Sequence, residues 1–191
     1  MSSHFYAMLS RMKNIYRWGL MRNTKTENLS EHSFETAYIA HALAVIGKVR
    51  LRKNVEPEKV AVAAMFHDIS EIITGDMPTP VKYDNPEIKA AYKNMESAAQ
   101  QKLISMLPDD LQGEIENACC EKDEEIHSYV KAADKISALI KCTEELNMGN
   151  REFAVAKQTL LNAISQMGLN EADIFLEEFM PSFELSIDEQ H

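Results

Sequence analysis

Residues 61–80 read AVAAMFHDISEIITGDMPTP, and the fold and the chemistry both turn on them. The run is oily, yet it carries His67, Asp68 and Glu71 close together and then breaks at Gly75-Asp76 into a proline-flanked loop. Burying three titratable groups in apolar surroundings is costly unless something pairs with them, and a metal ion is one such partner. The pattern predicts one helix, opened by Glu56-Pro57 and closed by Gly75. Glu71 then lies one turn beyond His67 on the same face. His67 and Asp68 point about 100° apart at ~3.6 residues per turn, and one ion against that shoulder is within reach of both.

Helical patterning continues on either side. A first helix is predicted over 4–17, with Phe5, Met8, Leu9, Met12, Ile15 and Tyr16 at helical spacing. In NLSE, Asn28 and Glu31 have capping-box spacing, and Ser30 is an equal candidate N-cap. The helix that follows should stop before Gly47. Asn85-Pro86 opens another, a short acidic helix fills 109–118, and DEEIHSYVKAADKISALIKCTEEL forms a long one ending before Gly149. Two more are predicted over 151–166 and 171–180. With no alternating strand pattern, repeat or dividing linker, the expectation is an all-α, single-domain helical bundle over 1–191.

The 191 residues are 45% hydrophobic and 26% charged, a soluble globular profile without an apolar run long enough to span a membrane. The N-terminal stretch does not read as a signal peptide, so a cytoplasmic location is the default. Cys119, Cys120 and Cys142 lack Cys-x-x-Cys spacing and read as buried free thiols. A net charge of -10 argues against polymeric nucleic acid or an anionic membrane as partner, but not against a small phosphorylated ligand.

Further ligands for an ion must come from other helices. His32 sits near the start of its helix in SEHS, and Asp134 lies mid-helix among Val130, Ala133, Ile136 and Ala138, where a carboxylate needs a partner. The bland alternatives are a core histidine bonded to a carboxylate at His67-Asp68, an ion pair from Asp134 to Lys131 or Lys135, and a surface carboxylate at Glu71. His41 reads as a partly buried packing residue, and His4, His127 and His191 as surface residues. Trp18, the single tryptophan, could plug the core beside a solvated Arg17.

The order His32, His67-Asp68, Asp134 resembles the HD-domain superfamily of metal-dependent phosphohydrolases. RWGLMRN, TENLSEHS, HDISEIITGDMPTPVKY, VKAADKISALIKCTEEL and FMPSFELSIDE look like the bacterial 5'-deoxynucleotidase family. The resemblance implies a helical bundle of the HD-domain type that hydrolyses deoxyribonucleoside 5'-monophosphates. It implies one divalent ion, with cobalt, manganese or copper favoured, on His32, His67, Asp68 and Asp134. It further implies that Arg17 binds phosphate, that Trp18 packs on the sugar and that Glu71 is catalytic, with Asp76 a second candidate. His32, Asp68, Asp76, Met77, Pro78, Thr79 and Asp134 would also contact substrate. The family supplies an acidic residue near the site from 109–127, for which Glu121 is the candidate, and the resemblance implies a homodimer. One rival is an HD phosphohydrolase for another nucleotide class, which would need extra basic residues that the motifs lack. A non-catalytic metal-stabilised module is the other, and it needs neither Glu71 nor Arg17.

Overall fold

In the computed structural model, which describes residues 2–82, 84–119 and 123–190, the first predicted helix is cut short. Helix α1 (Phe5–Leu9) passes into a 3₁₀ turn, Ser10–Asn14, and Ile15 is extended. The cause is pairing across the chain. Leu29 N–H donates to the Ile15 carbonyl at 2.8 Å and Arg17 N–H to the Glu27 carbonyl at 3.0 Å, around an isolated antiparallel bridge between Tyr16 and Asn28. A helix running to residue 17 would forgo those bonds.

Helix α2 (Leu29–Arg50) is capped by Asn28 rather than Ser30. Asn28 Oδ1 accepts from the Ser30 and Glu31 N–H groups, and Glu31 Oε2 accepts from the Asn28 N–H, a reciprocal capping box. The helix does not stop at Gly47. A Cβ there would stand 2.6 Å from the Tyr129 hydroxyl and 2.8 Å from Glu171 Oε1, so this glycine answers a close approach and not a helix end.

Helix α3 (Pro57–Met65) ends well before Gly75. Turns through residues 66–70 lead into the single turn α4 (Glu71–Thr74), and α5 (Thr79–Lys82) follows. His67 and Asp68 therefore sit in a helix break, not on the continuous face predicted. Packing supplies the reason. Val60, Ala63 and Ala64 enter one core, whereas Phe66, Ile69 and Ile72 enter another, and tight bonds such as Ile69 N–H to the Phe66 carbonyl re-aim the chain between them.

The remaining helices are α6 (Pro86–Ile104), α7 (Asp109–Cys119), α8 (Glu124–Asn147), α9 (Ala154–Met167) and α10 (Asn170–Glu178). Asn85 and Asp123 cap α6 and α8, and Gly168, in the left-handed region, closes α9. No strand occurs among the described residues, so the chain is all-α as expected.

The chain divides into two compact units, each with its own core. One comprises the segments up to Arg22, Thr26–Ser33, and Phe66 to the end of α7. Its core holds Phe5, Ile69, Leu103, Ile104 and Leu107. The other comprises Asn23–Lys25, Phe34–Met65 and everything from α8 onward, around Ile39, Leu43, Ile136, Leu139 and Phe175. In this second unit the buried Glu145 accepts from Thr24, Lys141 and Asn150, and the buried Glu171 accepts from Tyr129 and pairs with Lys53.

Cys119 and Cys142 are buried, as read from the sequence; Cys120, Glu121 and His191 lie outside the described residues. His4 and His127 are exposed as predicted, but His41, expected to be partly buried, is also exposed because it falls on the outer face of α2. No helix among the described residues is long and apolar enough to cross a membrane.

Candidate functional site

His32 enters the site from the first turn of α2, which the Asn28 capping box fixes, and its side chain is fully buried. His67 and Asp68 come from the turns between α3 and α4. Nε2 of His67 lies 3.1 Å from Asp68 Oδ2 and Nε2 of His32 lies 3.7 Å from the same oxygen, with the two rings 5.3 Å apart. One donor atom from each of the three residues falls within 4.8 Å of the others. Two imidazoles and a carboxylate so gathered suit a divalent transition metal. Burial alone would push the Asp68 carboxyl up. The His67 ring, then His32 and Arg17, outweigh that and hold it well below the usual carboxylate range. An ionised carboxylate is the form that ligates.

Arg17 and Trp18 follow the Tyr16–Asn28 bridge, after the 3₁₀ turn. Arg17 Nη1 lies 3.4 Å from Asp68 Oδ2, and its Nε donates to Glu27 Oε2 at 3.2 Å. Trp18 donates its indole N–H to the same Glu27 oxygen at 2.8 Å. Its φ of 61° lies in the left-handed region, a strain of ~1–3 kcal/mol that persists only where the surroundings enforce it. Trp18 is half-buried and tethered, so it is not the core plug considered above.

Glu71 begins α4 and is only 5% exposed. Burial, then the negative charges of Asp68 and Asp76, push its carboxyl up to about 9, against the pull of Arg17 and Lys82. Its Oε2 is buried without a hydrogen-bond partner among the described residues. Asp76 follows Gly75, whose φ of 74° and ψ of 163° are open to glycine almost alone and turn the chain back. Burial raises Asp76 as well, while Arg17 and a hydrogen bond from the Trp18 backbone oppose it. Two neighbouring carboxyls, Asp68 pulled down and Glu71 pushed up, are the usual basis of divided ionic and acid-base roles.

Residues 76–78 are half-buried, and Thr79 is exposed at the start of α5. Tyr92 of α6 braces the loop, its hydroxyl 3.3 Å from Thr74 Oγ1 and donating to the Gly75 carbonyl at 3.4 Å. Lys82 pairs with Glu96 at 2.8 Å and lies over the Tyr92 ring.

Residues 4–183 match the 5'-deoxynucleotidase YfbR-like family. The chain belongs to that family. A 5'-deoxynucleotidase of Vibrio vulnificus is 51% identical over 189 residues, covering 98% of this chain and 97% of the relative. Another, from Cronobacter sakazakii, is 51% identical over 189 residues, covering 98% and 95%. Among solved structures, an HD-domain phosphohydrolase from Listeria innocua superposes with a TM-score of 0.82 at 22% identity, covering 98% of this chain and 91% of its own. The cyanophage S-2L HD phosphohydrolase DatZ, bound to dA and one catalytic Zn2+ ion, gives 0.70 at 20% identity over 93% and 96%. At such identities these two establish the fold, which is of the HD-phosphohydrolase type.

In this family member one unit therefore gathers Arg17, Trp18, His32, His67, Asp68, Glu71 and Asp76. Asp134 stands half-buried midway along α8, in the other unit, and Glu121 lies outside the described residues. Sequence reasoning missed Glu27, Lys82 and Tyr92. Glu27 lies within the quoted TENLSEHS, but nothing in its spacing announces that it faces Arg17.

Proposed function

We propose that the chain is a divalent-metal-dependent 5'-deoxynucleotidase, hydrolysing deoxyribonucleoside 5'-monophosphates to deoxynucleosides and phosphate. The observation that carries this reading is the meeting of His32, His67 and Asp68 beside Arg17 and a proton-holding Glu71, in a chain of this family. The three residues fit a metal ion, and the sequence resemblance carries Asp134 forward as the fourth ligand. When bound, such an ion supplies Lewis acidity and an activated water.

The chain's own residues do the rest. Arg17 orients the phosphate and offsets charge as it develops, a task that suits a guanidinium fork. Glu71 holds or moves a proton at its buried oxygen, and Asp76 is a second candidate for that role. The deoxy sugar offers no additional group to grip, so selectivity must come from rejecting the 2'-hydroxyl. Trp18 is large, rigid and beside Arg17, and it strands that hydroxyl without a partner. The family resemblance adds Met77, Pro78 and Thr79, in the loop after Gly75, as further substrate contacts.

The family match over residues 4–183 supports treating 1–191 as one catalytic domain. Family resemblance supports cobalt, manganese or copper as the ion and a homodimer, and the N-terminal stretch, which does not read as a signal peptide, supports a cytoplasmic location; the Zn2+ in the cyanophage protein adds zinc to the metals worth testing. The test is phosphate release from deoxy- and ribonucleoside 5'-monophosphates, di- and triphosphates by chelated protein resupplied with each metal. Activity confined to deoxy monophosphates supports the reading. Equal or faster release from triphosphates overturns it in favour of another nucleotide class.

A further inference from the structure

A single carboxylate oxygen stands behind both side chains that the proposed function sets against the substrate. Glu27 Oε2 accepts the Trp18 indole N–H at 2.8 Å and the Arg17 Nε–H at 3.2 Å. The Arg17 and Glu27 side chains are 12% and 11% exposed, so water competes weakly for these bonds. The main chain adds a third tie, from Arg17 N–H to the Glu27 carbonyl at 3.0 Å.

We propose that Glu27 is a positioning residue that couples the phosphate grip to sugar selection, fixing the Arg17 guanidinium and the Trp18 indole in one register. The proposal rests on the reading of Arg17 and Trp18 as substrate-facing. An indole has one polar atom and two side-chain torsions, so a bond at Nε1 sets where the whole ring lies. A bond to Arg17 Nε sets the guanidinium plane from its inner edge, with Nη1 turned toward Asp68 Oδ2 at 3.4 Å. Because one oxygen receives both donors, displacing either side chain alters the bond that holds the other.

Trp18 is the single tryptophan, so tryptophan emission, excited at the red edge where the six tyrosines do not absorb, reports this site alone in metal-loaded protein. Glu27→Ala should shift that emission to the red and lower its anisotropy. It should also raise KM for dAMP, cut kcat/KM by roughly 10- to 100-fold, as for a lost charged hydrogen bond, and narrow the dAMP/AMP ratio. Glu27→Gln keeps an acceptor oxygen and should return emission and ratio toward wild type. If Glu27→Ala does not fold, Glu27→Asp, one methylene short, should move emission and ratio in the same direction as expected for Ala. Unchanged emission and ratio in Glu27→Ala or Glu27→Asp would overturn the positioning role, as would a Gln variant with no recovery. The emission readout needs no turnover, so a wild type that releases no phosphate from dAMP overturns the functional reading separately.

Discussion

Replacing Glu71 with Gln should slow turnover and, at the same time, stabilise the metal-free protein. Burial and the charges of Asp68 and Asp76 push this carboxyl from an ordinary 4.5 up to about 9. The folded state therefore holds the proton more tightly than the unfolded state, and stability falls as pH rises from 4.5 toward 9. At pH 7 the unfavourable contribution reaches up to about 3 kcal/mol, at about 1.4 kcal/mol per pH unit above the unfolded value. Gln mimics the protonated acid and does not titrate. In urea unfolding of chelated protein, the Gln variant should be only slightly more stable than wild type at pH 5. That gap should widen by about 2–3 kcal/mol at pH 7. Metal-loaded, the same variant should lose ~10²- to 10⁴-fold in kcat with its metal content intact. A stability gap that does not change between pH 5 and pH 7 would refute the burial argument, and collapse of metal stoichiometry would make Glu71 a ligand.

Gly47→Ala should destabilise the fold although alanine favours helix by about 1 kcal/mol. The new methyl would meet Tyr129 Oη at 2.6 Å and Glu171 Oε1 at 2.8 Å, and overpacking with a disturbed buried bond costs about 2–4 kcal/mol, visible as a lower urea midpoint; a midpoint above wild type would contradict this. Glu145→Ala should cost about 3–5 kcal/mol in the same assay, because Lys141, 4% exposed, would be left buried without its carboxylate. Burial alone would raise Glu145, but Lys141, Thr24 and Asn150 hold it below the usual range, so its contribution is present above pH 4.5 and fades on acidification, and the Ala variant should lose that acid-side slope. Trp18→Ala should narrow the dAMP-to-AMP preference in kcat/KM by roughly 5- to 150-fold, mainly by admitting AMP, as expected for relieving an unmet polar group; an unchanged ratio in a folded, metal-loaded variant places selectivity elsewhere.

What could be read in the sequence was what local chemistry dictates. The Asn28–Glu31 capping box, the Asn85 cap and the stop at Gly149 need only their neighbours, and each formed where the spacing put it. His67-Asp68 was legible because titratable groups in an apolar run demand a partner. The break after Met65 was not, since apolar residues recur at helical spacing from Val60 through Ile72 and do not reveal that they serve two cores. Gly47 looked like a helix end because the Tyr129 and Glu171 atoms that exclude a side chain there come from far along the chain. Glu27 was invisible for the same reason: its role depends on main-chain pairing between residues 15–17 and 27–29, which leaves no periodic trace.

The most direct test compares wild type with Asp68→Ala for phosphate release from dAMP, with bound metal counted in the same samples. Asp68 Oδ2 lies within reach of His32, His67 and Arg17, so its loss removes a proposed ligand and the anchor of the cluster together. Wild type should lose activity on chelation and regain it with added divalent metal. Asp68→Ala should hold little metal and release no phosphate under either condition. Sustained dAMP hydrolysis by Asp68→Ala after exhaustive chelation would contradict the account at its centre.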